Sequence, residues 1–189
     1  APTAGGFATA VGAGFPHNLK TDMINPDKFK NTTRVVTHAN CPDGIASALI
    51  IKDALPDVQV SFMAYGTEEH KSLKPQPGVI FCDFTPFVAW KDGGGSHTQA
   101  WLDAGALVLD HHPTARELVE KFVERGQGVF GLNEKCESGA WLAYEYVWLP
   151  LKYGSDEPTV GDLAPARVFA ELSAIRDTWK KDSPQWEAA

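Results

Sequence analysis

Five short runs of apolar or β-branched residues alternate with helix-like segments, and this alternation restricts the fold more than any other feature. The runs occupy residues 33–37, 59–64, 78–82, 106–109 and 128–132. Apolar residues recur at helical spacing between them, most clearly in 45–55 and 115–124. Strands that alternate with helices predict an α/β fold, in which a mostly parallel five-stranded sheet carries helices on both faces.

Four further segments are predicted to be helical, at 67–74, 97–103, 138–149 and 160–176. The helix at 138–149 carries Trp141, Tyr144 and Trp148, and we expect these rings to pack in the core rather than to stack on a base. Pro150 is expected to end this helix, because proline lacks the backbone donor and obstructs the preceding turn. The glycines within 92–96 predict a loop.

Composition and charge narrow the class of protein. Residues 32–189 are predicted to form one domain, since the chain of 189 residues has the 43% hydrophobic and 22% charged content of ordinary globular proteins. The preceding arm, residues 1–31, is rich in Ala, Gly and Thr, and we expect it either to be partly disordered or to wrap around the domain. The net charge of -7 argues against broad binding of duplex nucleic acid.

The same sequence features predict a cytoplasmic protein. No apolar run reaches about 18 residues, so no membrane span is expected. The three cysteines form no CxxC pair and the N-terminus has no signal-peptide pattern, which favours a reducing compartment. A zinc site built from cysteines is not expected, and Cys82, which alternates with Asp83 along a strand, is predicted to face the core. The oligomeric state is not indicated.

Polar, metal-competent side chains follow three of the predicted strands where each strand ends. His38 follows the run 33–37, Asp83 follows 78–82, and Asp110-His111-His112 follows 106–109. Right-handed crossovers bring the carboxyl ends of parallel strands to one edge of a sheet, where α/β proteins bind their ligands. We therefore expect these side chains to converge at that edge.

The residue types at this edge suit divalent cations. Carboxylate oxygens together with imidazole nitrogens favour Mn²⁺ or Mg²⁺, and the candidate ligands are His38, Asp43, Asp83, His111 and Asp177. Five ligands exceed the need of one metal with open positions, so a pair of ions bridged by Asp83 is the economical hypothesis. Two-metal sites activate a shared water and clamp both the attacking and the leaving oxygen of a phosphoryl displacement.

Four motifs in this order resemble those of the DHH phosphoesterase superfamily. They are the segment 38–44 (HANCPDG), Phe81-Cys82-Asp83, Asp110-His111-His112 and Asp177. The superfamily includes RecJ-like nucleases, oligoribonucleases, cyclic-nucleotide phosphodiesterases, exopolyphosphatases and pyrophosphatases. Ser138-Gly139-Ala140 with Tyr144-Glu145 also looks like the family's helix after the DHH strand, and the resemblance covers about residues 34–179.

The resemblance implies a role for each motif residue. His38 and Asp43 would bind the first metal, Asp83 would bridge, and His111 and Asp177 would bind the second metal. His112 would face the scissile phosphate, either as a charge stabiliser or as a proton donor to the leaving group. Asp110 would support the loop or orient an imidazole.

Two departures from the family pattern affect these expectations. Asn40 stands where many members carry a second acid, so the first metal site is expected to be weaker or to need water. The usual second domain, which carries a glycine-rich motif with a histidine, is expected to be absent from a chain ending at Ala189. The segment 93–97 superficially resembles that motif, but a plain loop is the favoured interpretation.

Some residues have two interpretations that the sequence leaves open. Asp43 either caps its helix or binds metal, and Asp177 either binds metal or forms a surface ion pair. Asn40, Ser138 and His97 are candidate substrate contacts, although Ser138 is first expected to be the N-cap of its helix.

The favoured function is a divalent-metal-dependent phosphoesterase that hydrolyses phosphodiester bonds of small nucleotides or short oligonucleotides. One alternative is a weakly active or inactive DHH module that binds a nucleotide or a protein partner. The other is a pyrophosphatase or polyphosphatase, which would use the same metals on a phosphoanhydride. The sequence does not choose between diester and anhydride.

Overall fold

The computed structural model describes residues 24–86, 95–132, 137–154 and 164–187, and within them five strands form one sheet in which every pairing is parallel. The strands are β1 (Arg34–His38), β2 (Gln59–Met63), β3 (Val79–Cys82), β4 (Leu107–Asp110) and β5 (Gly128–Phe130). Their order across the sheet is β2-β1-β3-β4-β5, which puts β3 at the centre. The predicted α/β class and five-stranded parallel sheet are confirmed.

Helices connect successive strands and extend beyond the last one. They are α1 (Pro42–Ala54), α2 (Glu68–Lys71), α3 (Gly95–Asp103), α4 (Arg116–Glu124), α5 (Gly139–Ala143), α6 (Leu149–Tyr153) and α7 (Ala164–Asp177). A 3₁₀ turn at Pro113–Ala115 leads into α4. Helix α3 begins at Gly95, two residues earlier than predicted, so Gly95 and Ser96 are helical rather than part of a loop.

Part of the predicted arm belongs to the packed structure. A 3₁₀ helix spans Pro26–Asn31, and both Ile24 and Phe29 are fully buried in the core. Residues 1–23 lie outside the described residues. The packed structure therefore includes residues that the sequence had assigned to the arm.

The two faces of the sheet bury separate hydrophobic cores. Neighbouring strand residues point to opposite faces, as Val35 and Val36 do. The core that contains Val35 is closed by α1, α5 and α7, and the core that contains Val36 is closed by α3 and α4. Every residue of β3 and β4 is buried, which explains why these strands read as continuous apolar runs.

The prediction that Pro150 ends the aromatic helix is wrong. The chain continues from α5 through a π-helical turn at Tyr144–Trp148 directly into α6, which contains Pro150 in its first turn. The N–H of Leu149 bonds to the carbonyl of Tyr144, five residues earlier. Since the wider π turn resets the hydrogen-bond pattern, Pro150 falls where a missing donor is tolerated.

The ends of the three central strands are aligned. Thr37 pairs with Cys82 and Cys82 pairs with Leu109, so the residue that follows each of these lies at the same sheet edge. Those following residues are His38, Asp83 and Asp110. No helix among the described residues has the length and apolar character needed to cross a membrane.

Candidate metal centre

The carboxyl edge of the sheet gathers the ligand-type side chains that the sequence predicts. Side-chain atoms lie within 4.8 Å of one another in each of three sets: His38 with Cys41 and Asp83, Asp83 with His111 and His112, and Asp43 with His111 and Asp177. We call the residues of these three sets the sheet-edge cluster. The cluster could hold a metal ion, and Asp83 and His111 each belong to two of the sets.

The sheet-edge cluster is centred on the His111 imidazole, which three carboxylates surround. Its Nε2 lies 3.3 Å from Asp83 Oδ1, 3.3 Å from Asp177 Oδ2 and 3.6 Å from Asp43 Oδ2. Burial opposes its protonation, but the hydrogen bond with Asp83 and the Asp43 and Asp177 carboxylates raise the pKa of His111 to about 9. The three carboxylates around Nε2 therefore favour a positive charge at this point of the sheet-edge cluster.

Asp83 occupies the position predicted for a bridging ligand, at the end of the central strand. Its backbone adopts a left-handed conformation with φ 56, which Asp tolerates better than most residues. The carboxylate is fully buried, and this burial raises the pKa of Asp83 to about 7. One oxygen contacts His111, while Oδ2 has no hydrogen-bond partner in the protein.

The prediction that Asp43 caps its own helix is wrong, and its binding of metal stays a prediction. Its Oδ2 accepts from the Gly139 N–H at 2.6 Å, and its Oδ1 accepts from the Ala140 N–H at 3.0 Å and from Ser173 Oγ at 2.6 Å. The carboxylate thus lies at the N-terminus of α5, not at that of its own helix, and joins α1, α5 and α7. An acid is favoured at a helix N-terminus because the exposed N–H groups carry partial positive charge.

Gly139 allows α5 to approach this carboxylate. A Cβ at that position would lie 2.5 Å from Asp83 Cβ and 2.9 Å from Asp43 Oδ2. No side chain fits at those distances, so glycine is required by the approach of two ligand residues to one backbone.

His112 is held by Asp110 and reaches the surface. Asp110 Oδ1 accepts from the backbone N–H of His112 and from its Nδ1, each at 2.8 Å. The hydrogen bond from Asp110 raises the pKa of His112, and its side chain is 36% exposed. Asp110 is itself fully buried, so it orients the His112 ring as the sequence analysis had allowed.

His38 completes the other side of the sheet-edge cluster. Burial, with help from the nearby His112, lowers the pKa of His38, so the ring is neutral at neutral pH, as metal ligation requires. The ring centroid of Tyr65 lies 5.4 Å away. Cys41 lies beside it, and burial together with Asp83 raises the pKa of the Cys41 thiol to about 11.

Several buried polar atoms of the sheet-edge cluster and its surroundings lack a partner in the protein. They include His38 Nδ1, Asp83 Oδ2, Asp110 Oδ2 and His111 Nδ1. Buried polar atoms are nearly always satisfied, because leaving one without a partner costs free energy. The donor chemistry of His38 and Asp83 fits a divalent cation bound between oxygen and nitrogen ligands.

The other predicted site residues have different positions. Asn40 is exposed in the turn between β1 and α1, with φ 59. Ser138 is fully buried and caps α5, accepting from the Trp141 N–H at 3.2 Å, so the capping prediction is confirmed. His97 lies in α3, but its side chain, like Gly93 and Gly94, is outside the described residues. Cys82 is buried as predicted.

Sequence reasoning missed Cys41 and Ser173. Cys41 lies inside the loop that carries the first predicted ligand, which was an available signal. Ser173 precedes Asp177 by four residues on one helix, and this spacing puts both on the same face. Tyr144 and Trp148 lie in the hydrophobic core and Trp141 packs against it, as predicted.

A pocket of about 350 Å³ opens beside the sheet-edge cluster, lined by His111, His112, Pro113, Asp177, Thr178 and Trp179. A larger groove of about 560 Å³ lies between α1 and β2, away from all of these residues. Of these two pockets in the described part of the chain, the smaller is the candidate site, because it is lined by His111, His112 and Asp177, whose pKa values are raised.

Comparison of the chain with protein-family models and with curated protein sequences gave no match.

Proposed function

We propose that the protein is a divalent-metal-dependent phosphoesterase that hydrolyses phosphodiester bonds in small nucleotides or short oligonucleotides. The observation that carries this proposal is the sheet-edge cluster, with its unpartnered Asp83 Oδ2 and His38 Nδ1 next to an accessible histidine. The ordered motifs that resemble the DHH superfamily support the same reaction class.

The proposed metal is Mn²⁺ or Mg²⁺, held in two positions that share Asp83. His38 and Asp83 would hold one ion, with Cys41 beside them. Asp83, Asp43, His111 and Asp177 would hold the other, so Asp43 is grouped with His111 and not with His38 as the resemblance implied. When bound, divalent cations neutralise phosphate charge and lower the pKa of water. The hydrogen bonds of Asp43 to α5 and α7 hold its carboxylate in a fixed orientation next to His111.

His112 is the proposed proton donor. Because Asp110 accepts from Nδ1, the neutral ring carries its proton there, and the protonated ring presents a second N–H at Nε2. The raised pKa of His112 keeps a fraction of the ring protonated near neutral pH. That ring can stabilise charge on a phosphate and pass a proton to a leaving oxygen.

The test is hydrolysis of bis(p-nitrophenyl) phosphate and of a dinucleoside monophosphate with added Mn²⁺ or Mg²⁺. We expect the wild type to be active and Asp83→Asn to lose at least about a hundredfold in kcat/KM. The matched control is Asp57→Asn, the same chemical change at an exposed residue far from the sheet-edge cluster. An inactive wild type under both metals between about pH 6 and 9, or an Asp83→Asn variant as active as the wild type, would overturn the proposal.

One observation favours a binding module as the second candidate. Three hydrogen bonds already engage Asp43, a proposed ligand of the His111 position, and Asn40 supplies no charge at the His38 position, so both positions have few free carboxylate oxygens. A wild type that binds a nucleotide but no divalent metal, and cleaves neither substrate, would support this function. Cleavage of pyrophosphate in preference to both diesters would identify a phosphoanhydride hydrolase.

A further inference from the structure

Trp179 stands at the rim of the candidate pocket with most of its ring in solvent. It is 70% exposed, the most exposed of the large hydrophobic residues among the described part of the chain, and it lines the pocket together with His111, His112 and Asp177. Tryptophan offers a large apolar ring with a polar N–H and is enriched at binding interfaces. Because the ring lines the same pocket as these cluster residues, a ligand bound in the pocket would lie within reach of the ring.

The backbone at Trp179 is held in a conformation that its side chain does not favour. Its φ is 56, in the left-handed region, and the Lys180 N–H bonds to the carbonyl of Ile175 at 3.0 Å. This pattern ends a helix at a position where glycine is strongly preferred. A bulky residue here is unfavourable for folding, and such strain is concentrated at functional sites.

One cation and a second indole lie beside the exposed ring, and a second cation lies against that indole. Lys181 Nζ lies 5.2 Å from the Trp179 ring centroid, and the Trp186 ring centroid lies 6.2 Å from it. The guanidinium of Arg176 sits 4.5 Å from the Trp186 ring centroid. In a chain with a net charge of -7, this is a local combination of aromatic faces and positive charge. That combination is the usual means by which proteins hold single-stranded nucleotides.

We infer that Trp179 is the stacking platform for the base of a nucleotide whose phosphate lies at the sheet-edge cluster. The inference rests on the proposed function and names its substrate class: a nucleotide with an unpaired base. Lys181, which lies against the Trp179 ring, adds positive charge next to the stacked base. Stacking uses the π-face that every base has, so recognition at this position tolerates all bases.

The test measures binding rather than cleavage, by calorimetry in the presence of Mn²⁺. The probes are AMP and ribose 5-phosphate, which share the sugar and the phosphate but differ in the base. We expect the wild type to bind AMP at least roughly tenfold more tightly than ribose 5-phosphate, the usual contribution of one stacked base. Trp179→Gly should remove this difference, while Trp179→Phe should keep most of it.

The glycine variant is chosen because it fits the left-handed backbone without strain, so it should melt no lower than the wild type. The control is Phe62→Ala, which removes another exposed aromatic ring, in the groove between α1 and β2. Phe62→Ala should bind AMP as the wild type does.

The outcomes separate this inference from the proposed function. AMP binding that depends on the Trp179 ring, in a protein that cleaves no diester, supports the platform and removes the phosphoesterase proposal. Diester cleavage with equal binding of AMP and ribose 5-phosphate overturns the platform alone. A wild type that does not bind AMP, or a Trp179→Gly variant that binds it like the wild type, also overturns the platform.

Discussion

At the scale of single residues, the His111 imidazole shows how the fold can hold three carboxylates around one nitrogen. Its Nε2 faces Asp43, Asp83 and Asp177, each within 3.6 Å. Three carboxylates around one nitrogen repel one another unless a proton or a metal lies between them. Burial is the main cause of the raised pKa of Asp83, to about 7, whereas the surrounding carboxylates raise the pKa of His111 to about 9 against the effect of its burial.

Asp43→Asn tests whether the hydrogen bonds that Asp43 accepts from α5 and α7 stabilise the fold. The amide nitrogen of asparagine can donate but not accept, so at least one of the Gly139 N–H, Ala140 N–H and Ser173 hydroxyl donors loses its acceptor. We expect the free energy of unfolding of the metal-free protein to fall by about 1–3 kcal/mol, measured by chemical denaturation. Asp57→Asn should leave it unchanged, and an equally stable Asp43→Asn would show that these hydrogen bonds do not support the fold.

Asp110→Asn tests the positioning of His112. Since Asp110 Oδ1 accepts from the ring at Nδ1, the variant should weaken the restraint on the ring and lower the pKa of His112 towards its usual value. We expect an NMR titration of the His112 ring to show the lower pKa. If the variant is active, the fall of kcat with rising pH should move in the same direction. An unchanged titration of His112 would mean that Asp110 does not set its protonation.

At the scale of elements, the alignment of strand ends was predictable and the approach of helices was not. The apolar runs and the polar residues after them indicated that His38, Asp83 and Asp110 share one edge, because parallel strands leave little choice. The contacts that α5 and α7 make with Asp43 are between residues far apart in sequence, so no local pattern signals them. The same limit applies to the π turn at Tyr144–Trp148, where the register of the hydrogen bonds decides whether Pro150 is tolerated.

The close approach of α5 gives a prediction at this scale. Gly139→Ala should raise helix propensity by about 1 kcal/mol, but the new Cβ would meet Asp83 Cβ at 2.5 Å. The steric effect should win, because backbone and buried ligands would have to move, at a typical cost of about 1–3 kcal/mol. Thermal denaturation should show a less stable protein, and calorimetry should show weaker Mn²⁺ binding.

A stabilised Gly139→Ala protein with unchanged Mn²⁺ affinity would contradict the packing described for α5. Ala140→Gly is a useful comparison, since it changes helix propensity at the next residue without adding a side chain against Asp83. It should lower stability through propensity and lost packing while leaving the position of Asp83 unaltered.

At the scale of the whole molecule, the sheet-edge cluster couples stability to pH. The folded-state pKa values of Asp83, about 7, and His111, about 9, both lie above the ordinary values of 3.8 and 6.5. The pKa values of His112 and Asp177 are also raised. Groups with raised pKa values stabilise the folded state at low pH, and this contribution is lost as pH rises through the folded-state pKa. The pKa of His38 is lowered, so below pH 6.5 its contribution to stability increases with pH, which opposes this trend.

The metal-free protein should therefore melt at progressively lower temperature as pH rises from about 4 to about 9. Added Mn²⁺ should stabilise it increasingly over the same range, because the ligands must lose their protons to bind metal. Differential scanning calorimetry with and without Mn²⁺ measures both effects. If Mn²⁺ raised the melting temperature by the same amount at every pH, metal and protons would not compete for this site.

The central claim is that the sheet-edge cluster is a divalent-metal centre with Asp83 at its middle, and direct Mn²⁺ binding tests it best. The measurement is isothermal titration of Mn²⁺ into metal-free wild type, Asp83→Asn and Asp57→Asn near pH 8, above the raised pKa of Asp83 of about 7. We predict that the wild type and Asp57→Asn bind Mn²⁺ equally well and that Asp83→Asn loses at least one bound ion. A wild type that binds no Mn²⁺, or an Asp83→Asn variant that binds it as the wild type does, would contradict the claim.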